Sequence, residues 1–298
     1  MTISTATSST VRAGRWPRSR SAGRRIARVI SYAAITLGAV VMMLPFLWLI
    51  SSSLKRPEEI FVFPPQWIPN PVEWANYPRV IFDRPLPLYA RNTLIITLGA
   101  LVGQVLSASL CAYSFGRLRW PGRDIIFAVL LATMMLPSAV TMIPVFIIFK
   151  TLGWLNTFAP LIVPAWFGGG AFFIFLLRQF FLTIPFELEE AARIDGAGTW
   201  RIWWTIILPL ARPALTVVAI FSFIWHWNDF LGPLIYLNST DKHTLSLGLN
   251  ALQGLEWGRD TTHLIMAFSV LVISPVIILF FVAQRAFVQG IVLTGIKG

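Results

Sequence analysis

Two polar clusters interrupt an otherwise apolar chain, and their residue types bound the chemistry open to it. The first runs Glu187-Leu188-Glu189-Glu190-Ala191-Ala192-Arg193-Ile194-Asp195-Gly196-Ala197 and is followed by Ile206, Leu208 and Pro209. Two small side chains, Ala191 and Ala192, flanked by carboxylates allow a helix to sink into a groove on another protein, although an ordinary acidic surface helix fits the same residues. The second cluster is Trp225-His226-Trp227-Asn228-Asp229. Indole rings stack on sugar faces, and Asn or Asp bonds hydroxyls, so this group suits a polar solute pathway. The same Asn228 and Asp229 also suit a second role, bonding backbone groups at a helix break before Gly232-Pro233, with Trp225 and Trp227 forming an interfacial belt. No nucleophile, base or metal set is gathered anywhere in the sequence. His243 and His263 lack triad or metal spacing and read as solvated or interfacial, and the lone Cys111 reads as a small packing residue.

The elements that must carry these clusters follow from composition. Hydrophobic residues make up 56% of the 298 and charged residues only 12%, and the mean hydropathy is +0.70. That balance excludes a soluble globular domain. A hydrocarbon core about 30 Å thick takes roughly 20 helical residues. Six apolar runs meet that length, near Val29–Ser52, Asn92–Gly116, Ile125–Phe149, Leu161–Phe181, Pro213–Leu237 and His263–Val282. Pro137 and Pro144 predict bends in the third run, and Gly168-Gly169-Gly170 predicts close helix packing in the fourth. Between the first two runs, Lys55–Arg91 is rich in Pro and Trp and reads as an ordered cap outside the bilayer. Leu249–Asp260, with Asn250, Gln253, Glu256 and Trp257, reads as a loop on that same side.

Charge sets the orientation. With the N-terminus inside, 16 of the 24 basic residues fall on the inner side, as the positive-inside rule expects. Both termini and the Glu190 segment then face the cytoplasm. The net charge of +11 comes largely from seven arginines between Arg12 and Arg28, which have no aromatic platform behind them. They anchor topology rather than bind nucleic acid.

Locally, the Glu190 segment reads as helix, turn, helix. Pro185 fits a first turn, the three glutamates complement the positive helix start, and Glu189 reaches Arg193 at i,i+4. Gly196 supplies the positive φ that ends the helix. Thr199 is expected to cap a second helix over Trp200–Ile207, with Trp200, Trp203 and Trp204 at the interface, before Pro209 stops it.

At these residues the chain resembles the permease subunits of bacterial ABC importers, whose cytoplasmic loop carries EAA, three residues, G, nine residues, I-x-LP. Glu190-Ala191-Ala192, Gly196, Ile206, Leu208 and Pro209 match every defined position. Pro45-Phe46-Leu47-Trp48, Ser53-Leu54-Lys55, Ala112-Tyr113, Pro121-Gly122, Asp195-Gly196-Ala197, Trp227-Asn228-Asp229-Phe230, Gln284-Arg285, Val288-Gln289-Gly290 and Lys297-Gly298 are similar to the smaller permease of the maltose-type carbohydrate importers.

The resemblance implies an all-α membrane protein of the type I importer fold, six transmembrane helices with a cytoplasmic coupling helix, in the bacterial cytoplasmic membrane. It divides the chain into a basic leader without fixed structure over 1–28, a permease domain over 29–285 with its coupling loop at 183–210, and a cytoplasmic tail over 286–298. It implies a second permease, two ATP-binding subunits and an extracytoplasmic sugar-binding protein as partners, and no catalytic, metal or cofactor site in this chain. ATP and magnesium belong to the partner ATPase, since no GxxxxGK[ST] loop occurs here. Glu190, Ala191, Ala192, Asp195, Gly196 and Ala197 would couple to that ATPase, supported by Ile206, Leu208 and Pro209. Trp225, Trp227, Asn228 and Asp229 are the candidates for the translocation pathway. Oligosaccharides, monosaccharides and glycerol phosphates all remain open as cargo. The alternative is a carrier driven by an ion gradient, for which Asp229 is the one carboxylate placed well within a span.

Overall fold

The computed structural model describes residues 20–168, 170–255 and 261–295, with side chains described over 25–168, 170–253 and 261–284. The leader through Ser19, Gly169, the loop residues Glu256 and Trp257, and the closing Lys297-Gly298 lie outside the described residues. The chain divides into two units at Leu49 and Ile50. Most of helix α1 (Arg20–Ser53) belongs to the first. The second carries α2 (Asn76–Phe82), α3 (Leu86–Arg117), α4 (Arg123–Thr133), α5 (Ser138–Thr151), α6 (Ala159–Ile162) and α7 (Ala171–Phe181). It continues with α8 (Glu187–Ile194), α9 (Thr199–Ile202), α10 (Leu208–Leu210), α11 (Arg212–Trp227), α12 (Leu231–Tyr236), α13 (Leu245–Leu255) and α14 (Thr262–Gly295).

Among the described residues, four helical stretches are long and apolar enough to cross a membrane, and up to six spans result if each of two bent pairs counts as one. The predicted third run is one such pair. Its halves, α4 and α5, meet at 101°, because Pro137 takes an extended conformation with ψ 133° and interrupts the helical ladder. Pro144, expected to bend the same run, lies inside α5 without a break. In the fourth run, Gly168 and Gly170 have φ of +98° and +77°. They separate α7 from the 3-10 turn Val163–Trp166 rather than packing two helices together. The predicted fifth run does not reach Leu237 as one helix. It ends at Trp227, and the short α12 follows after Asn228-Asp229-Phe230.

Helix α3 is the axis of the second unit, packing along both α7 and α11. Small residues on α3, Ala108 and Ala112, meet Ile174, Leu177 and Phe181 of α7 and Val218 of α11 in the largest buried apolar cluster. Cys111 sits at the edge of that cluster as a partly buried packing residue. A second cluster joins Val80, Tyr89, Trp227, Leu245 and Phe268.

The Lys55–Arg91 segment is ordered by polar contacts. Asn76 Nδ2 donates to the carbonyls of Ser53 and Lys55 at 3.0 and 2.9 Å, and Ser51 Oγ donates to Trp67 O at 2.6 Å. Lys55 is fully buried and donates to Gln66 O. Burial pushes its ammonium below the ordinary lysine range, and Glu59 opposes that shift. Leu249–Leu255, expected in a loop, belongs to α13. His263, expected at a solvated or interfacial position, is buried with 5% exposure, because α14 begins one residue earlier and carries it into the packed side of the helix.

Candidate functional site

The Glu190 segment folds into α8, and the sequence accounts for both of its ends. Phe186 O accepts from the amides of Glu189 and Glu190 at 2.9 and 3.1 Å, starting the helix immediately after Pro185. At the far end, Gly196 has φ +81°. Its amide donates to Arg193 O at 3.0 Å, and the Ala197 amide donates to Ala192 O at 2.8 Å. These two bonds form a Schellman end, completed by Ala192 and Ala197 packing on the same apolar cluster.

The helix is sharply two-sided. Glu189 is 2% exposed and Ala192 is half-buried, whereas Glu187, Glu190, Ala191 and Asp195 are exposed and Ile194 is 86% exposed. Ile194 therefore stands clear of the chain's own core. The Glu190 carboxylate makes no hydrogen bond or ion pair among the described residues.

The expected approach of Arg193 to Glu189 is present, with Nη2 3.8 Å from Oε2. The dominant partner of Glu189 was not visible in the sequence. Arg117, the last residue of α3, donates from Nε to Glu189 Oε1 in a buried ion pair. Arg117 Nη1 also donates to Phe181 O at 3.1 Å and Ile184 O at 2.8 Å, and Nη2 to Pro185 O at 3.2 Å. The guanidinium lies 3.7 Å from the centre of the Phe186 ring. Arg178 of α7 reciprocates, donating from Nε to Phe115 O at 3.2 Å and covering the Phe127 ring at 4.2 Å. Each of α3 and α7 therefore has one carbonyl of its last turn, Phe115 O or Phe181 O, bonded by an arginine of the other; Phe181 O also accepts the Ile184 amide. The sequence offered only a weak signal, arginines at the inner ends of two apolar runs.

Beyond Gly196 the expectations need correction. Gly198, not Thr199, is the N-cap of α9, and Thr199 makes no capping bond. Gly198 holds ψ 165° and its carbonyl accepts the Ile202 amide at 3.0 Å, so the extended residue needed at a cap falls one position earlier. Pro209 does not stop the helix. The chain widens into a π-helical turn over Trp203–Ile207 and continues through α10. Pro209 has no N–H to give the Thr205 carbonyl, and the wide turn lies where that bond is missing. The direction changes instead at Ala211, by 80°. Trp200 and Trp204 are 70% and 61% exposed, as an interfacial role expects, but Trp203 is 5% exposed in the core. Trp203 is one turn from Ile207 and shares its buried face. Ile206 and Leu208 pack on the same cluster, and Pro209 is exposed.

The second cluster is taken apart by the fold. Trp225 is 74% exposed, whereas Trp227 is buried, stacked on Phe223 at 5.3 Å and donating from Nε1 to Val272 O at 3.0 Å. Asn228 Nδ2 donates to Ile224 O at 2.9 Å. Asp229 Oδ1 accepts the Gly232 amide at 3.1 Å, and its carbonyl accepts Ser246 Oγ at 2.6 Å. A Cβ on Gly232 would stand 2.4 Å from Asp229 Oδ2 and 2.9 Å from Leu161. A side chain at position 232 would therefore force the Asp229 and Leu161 side chains to shift.

A further polar knot went unread in the sequence. Asn156, with φ +57°, accepts the amides of Asn238 and Ser239 on Oδ1, both at 3.1 Å. Its Nδ2 donates to Ser239 Oγ at 2.6 Å, and Lys242 Nζ donates to its carbonyl at 2.6 Å.

The family model for the inner membrane component of binding-protein-dependent transport systems matches residues 104–293. The chain is 34% identical to the diacetylchitobiose uptake system permease protein NgcG of Streptomyces coelicolor, covering 89% of this chain and 87% of that one. It is 31% identical to the sn-glycerol-3-phosphate transport system permease protein UgpE of Agrobacterium fabrum, covering 91% and 98%. Among solved structures it superposes with a TM-score of 0.78 and 26% identity on a chain of a bacterial ABC transporter involved in the import of the acidic polysaccharide alginate, covering 90% and 98%. The matched region holds α8 with its buried and open faces, the reciprocal arginines and the broken fifth run, and on these grounds the chain belongs to the ABC-importer permeases, the inner membrane components of binding-protein-dependent transport systems.

Proposed function

We propose that this chain is one of two permease subunits forming the pore of an ATP-driven carbohydrate importer, and that α8 is its coupling helix. The observation that carries this reading is the division of α8 into a buried face fixed to α3 and an open face of Glu190, Ala191 and Ile194. An eight-residue helix held this way fits a socket on a cytoplasmic ATP-binding subunit, with Glu190 accepting from a basic group there and Ala191 allowing close approach. Gly196 and Ala197 hold the turn that fixes the helix's length. ATP and magnesium then belong to the two partner ATP-binding subunits, and an extracytoplasmic sugar-binding protein delivers the solute. Both termini and α8 face the cytoplasm, following the distribution of arginine and lysine. The 1–28, 29–285 and 286–298 division of leader, permease domain and tail accompanies this topology.

A carbohydrate cargo is favoured because NgcG is named for a disaccharide and the alginate transporter for a polysaccharide. In the fifth run, the exposed Trp225 offers an apolar ring of the kind a sugar face stacks on. Asp229, bonded to Gly232 N, is assigned to shaping the break rather than to solute contact. The test is affinity purification of the chain from its native membrane with mass spectrometry of what stays bound. Recovery of a second permease and an ATP-binding subunit supports the reading. Recovery of the chain alone, with transport in vesicles lacking ATP, overturns it in favour of a gradient-driven carrier.

A further inference from the structure

We infer that Arg117 is the positioning residue that makes α8 and the end of α3 one mechanical piece, so that displacement of the docking helix is delivered to α3 rather than absorbed in the connection between α7 and α8. The inference rests on the coupling role proposed for α8. Arg117 is 4% exposed and engages five groups: the carbonyls of Phe181, Ile184 and Pro185, the Glu189 carboxylate and the Phe186 ring. Three of these lie in the connection, one ends α7, and the carboxylate belongs to α8 itself. The connection thus has nowhere to yield between the docking face and the spans.

The chemistry chosen is informative. A buried ion pair contributes little net stability compared with an apolar pair of the same volume, so a clamp built from one is better explained by its fixed geometry. A guanidinium presents five donors in a rigid plane, which a lysine ammonium cannot reproduce. Glu189 sits two residues before Ala191 and, at about 100° per residue, lies nearly opposite it on the helix. Load arriving at Glu190, Ala191 and Ile194 crosses a single helix diameter to reach the Arg117 clamp. Because α3 packs on both α7 and α11, its movement is passed to the two helices that line its length.

The experiment uses the full transporter, purified with its ATP-binding subunits and reconstituted in vesicles, and reads solute moved per ATP hydrolysed at equal amounts of assembled complex. Arg117→Lys keeps the charge and loses the planar fork. Glu189→Gln is isosteric and leaves the three carbonyl bonds in place. Both variants are expected to co-purify with the ATPase at wild-type yield while the transport-to-hydrolysis ratio falls about tenfold, a typical size for coupling between linked sites. The double variant is expected to be no worse than the more affected single one, since both break the same clamp. A wild-type ratio in Glu189→Gln, or additive losses in the double variant, overturns the inference. If Arg117→Lys does not accumulate in the membrane, Glu189→Gln alone decides. Failure of the underlying reading is distinct, because the unsubstituted chain would then recover no ATPase.

Discussion

Asp229 separates two accounts of the broken fifth run, and its substitutions have different expected sizes. The carboxylate accepts the Gly232 amide at 3.1 Å at the start of α12, the work of a helix cap. Asp229→Asn keeps an oxygen at Oδ1, so that bond survives. Asp229→Ala removes it and leaves a partly buried amide without its acceptor. Loss of a cap costs about 1 kcal/mol, and up to about 2 in tighter contexts. For a chain of this size each such kcal/mol moves a thermal midpoint by about 2–4 °C. The assay pairs thermal unfolding of the purified transporter with solute flux in ATP-loaded vesicles. We expect Asp229→Asn within about 1 °C of the unsubstituted protein and within about twofold in flux. Asp229→Ala should lower the midpoint by about 2–4 °C, with flux per folded complex preserved. The reasoning is refuted if Asp229→Asn retains its midpoint but loses flux tenfold or more, because then the charge, not the cap, is what transport requires. Flux that depended on a proton gradient in the unsubstituted protein and vanished in Asp229→Asn would revive the carrier reading.

Three further outcomes are expected. Glu190→Lys should insert and fold normally, since the Glu190 carboxylate has no partner among the described residues, yet lose recovery of the ATP-binding subunit; retained recovery with normal transport removes this glutamate from the interface. Gly196→Ala meets no atom within 4 Å, so its effect is confined to the positive φ, about 1–2 kcal/mol. Hydrogen exchange at the Gly196 and Ala197 amide positions should accelerate about 5- to 30-fold, and unchanged exchange would mean the turn does not depend on glycine. Asn156→Ala removes the side-chain bonds to Asn238, Ser239 N and Ser239 Oγ. It should lower stability by about 2–3 kcal/mol; a midpoint within 1 °C would show that water replaces the knot.

What the sequence made legible was local or compositional. Gly196 was readable because glycine is the residue that most readily takes the left-handed end of a helix, and the Glu189–Arg193 approach because it needs only a four-residue spacing. The long apolar runs were readable from the bilayer's thickness. Their interruptions were less so, since the same residue type had opposite outcomes: Pro137 breaks the third run, whereas Pro144 is carried within α5. What differs is the backbone on either side, which spacing does not encode. Trp203 was placed at the interface with its neighbours because tryptophan favours both interfaces and cores, and only the helical phase against Ile207 decides between them. The contacts of Arg117 and Asn156 were out of reach. Glu189 is 72 residues from Arg117, and Ser239 is 83 from Asn156; no local pattern connects partners at that distance.

The two unread arginines explain how polar groups can be buried at the foot of an apolar bundle. Where α3 and α7 end side by side, carbonyls at and just beyond the helix ends need donors, because an unmet acceptor in low-dielectric surroundings is costly. Arg117 and Arg178 supply donors across the pair, and each guanidinium also covers an aromatic ring, Phe186 or Phe127. The cationic ends complement the negative poles of the helices they cap. Only Arg117 is also given a carboxylate, and that carboxylate comes from α8. The arginine that bonds the end of α7 and the connection beyond it therefore also fixes the position of α8, whose outer face is exposed.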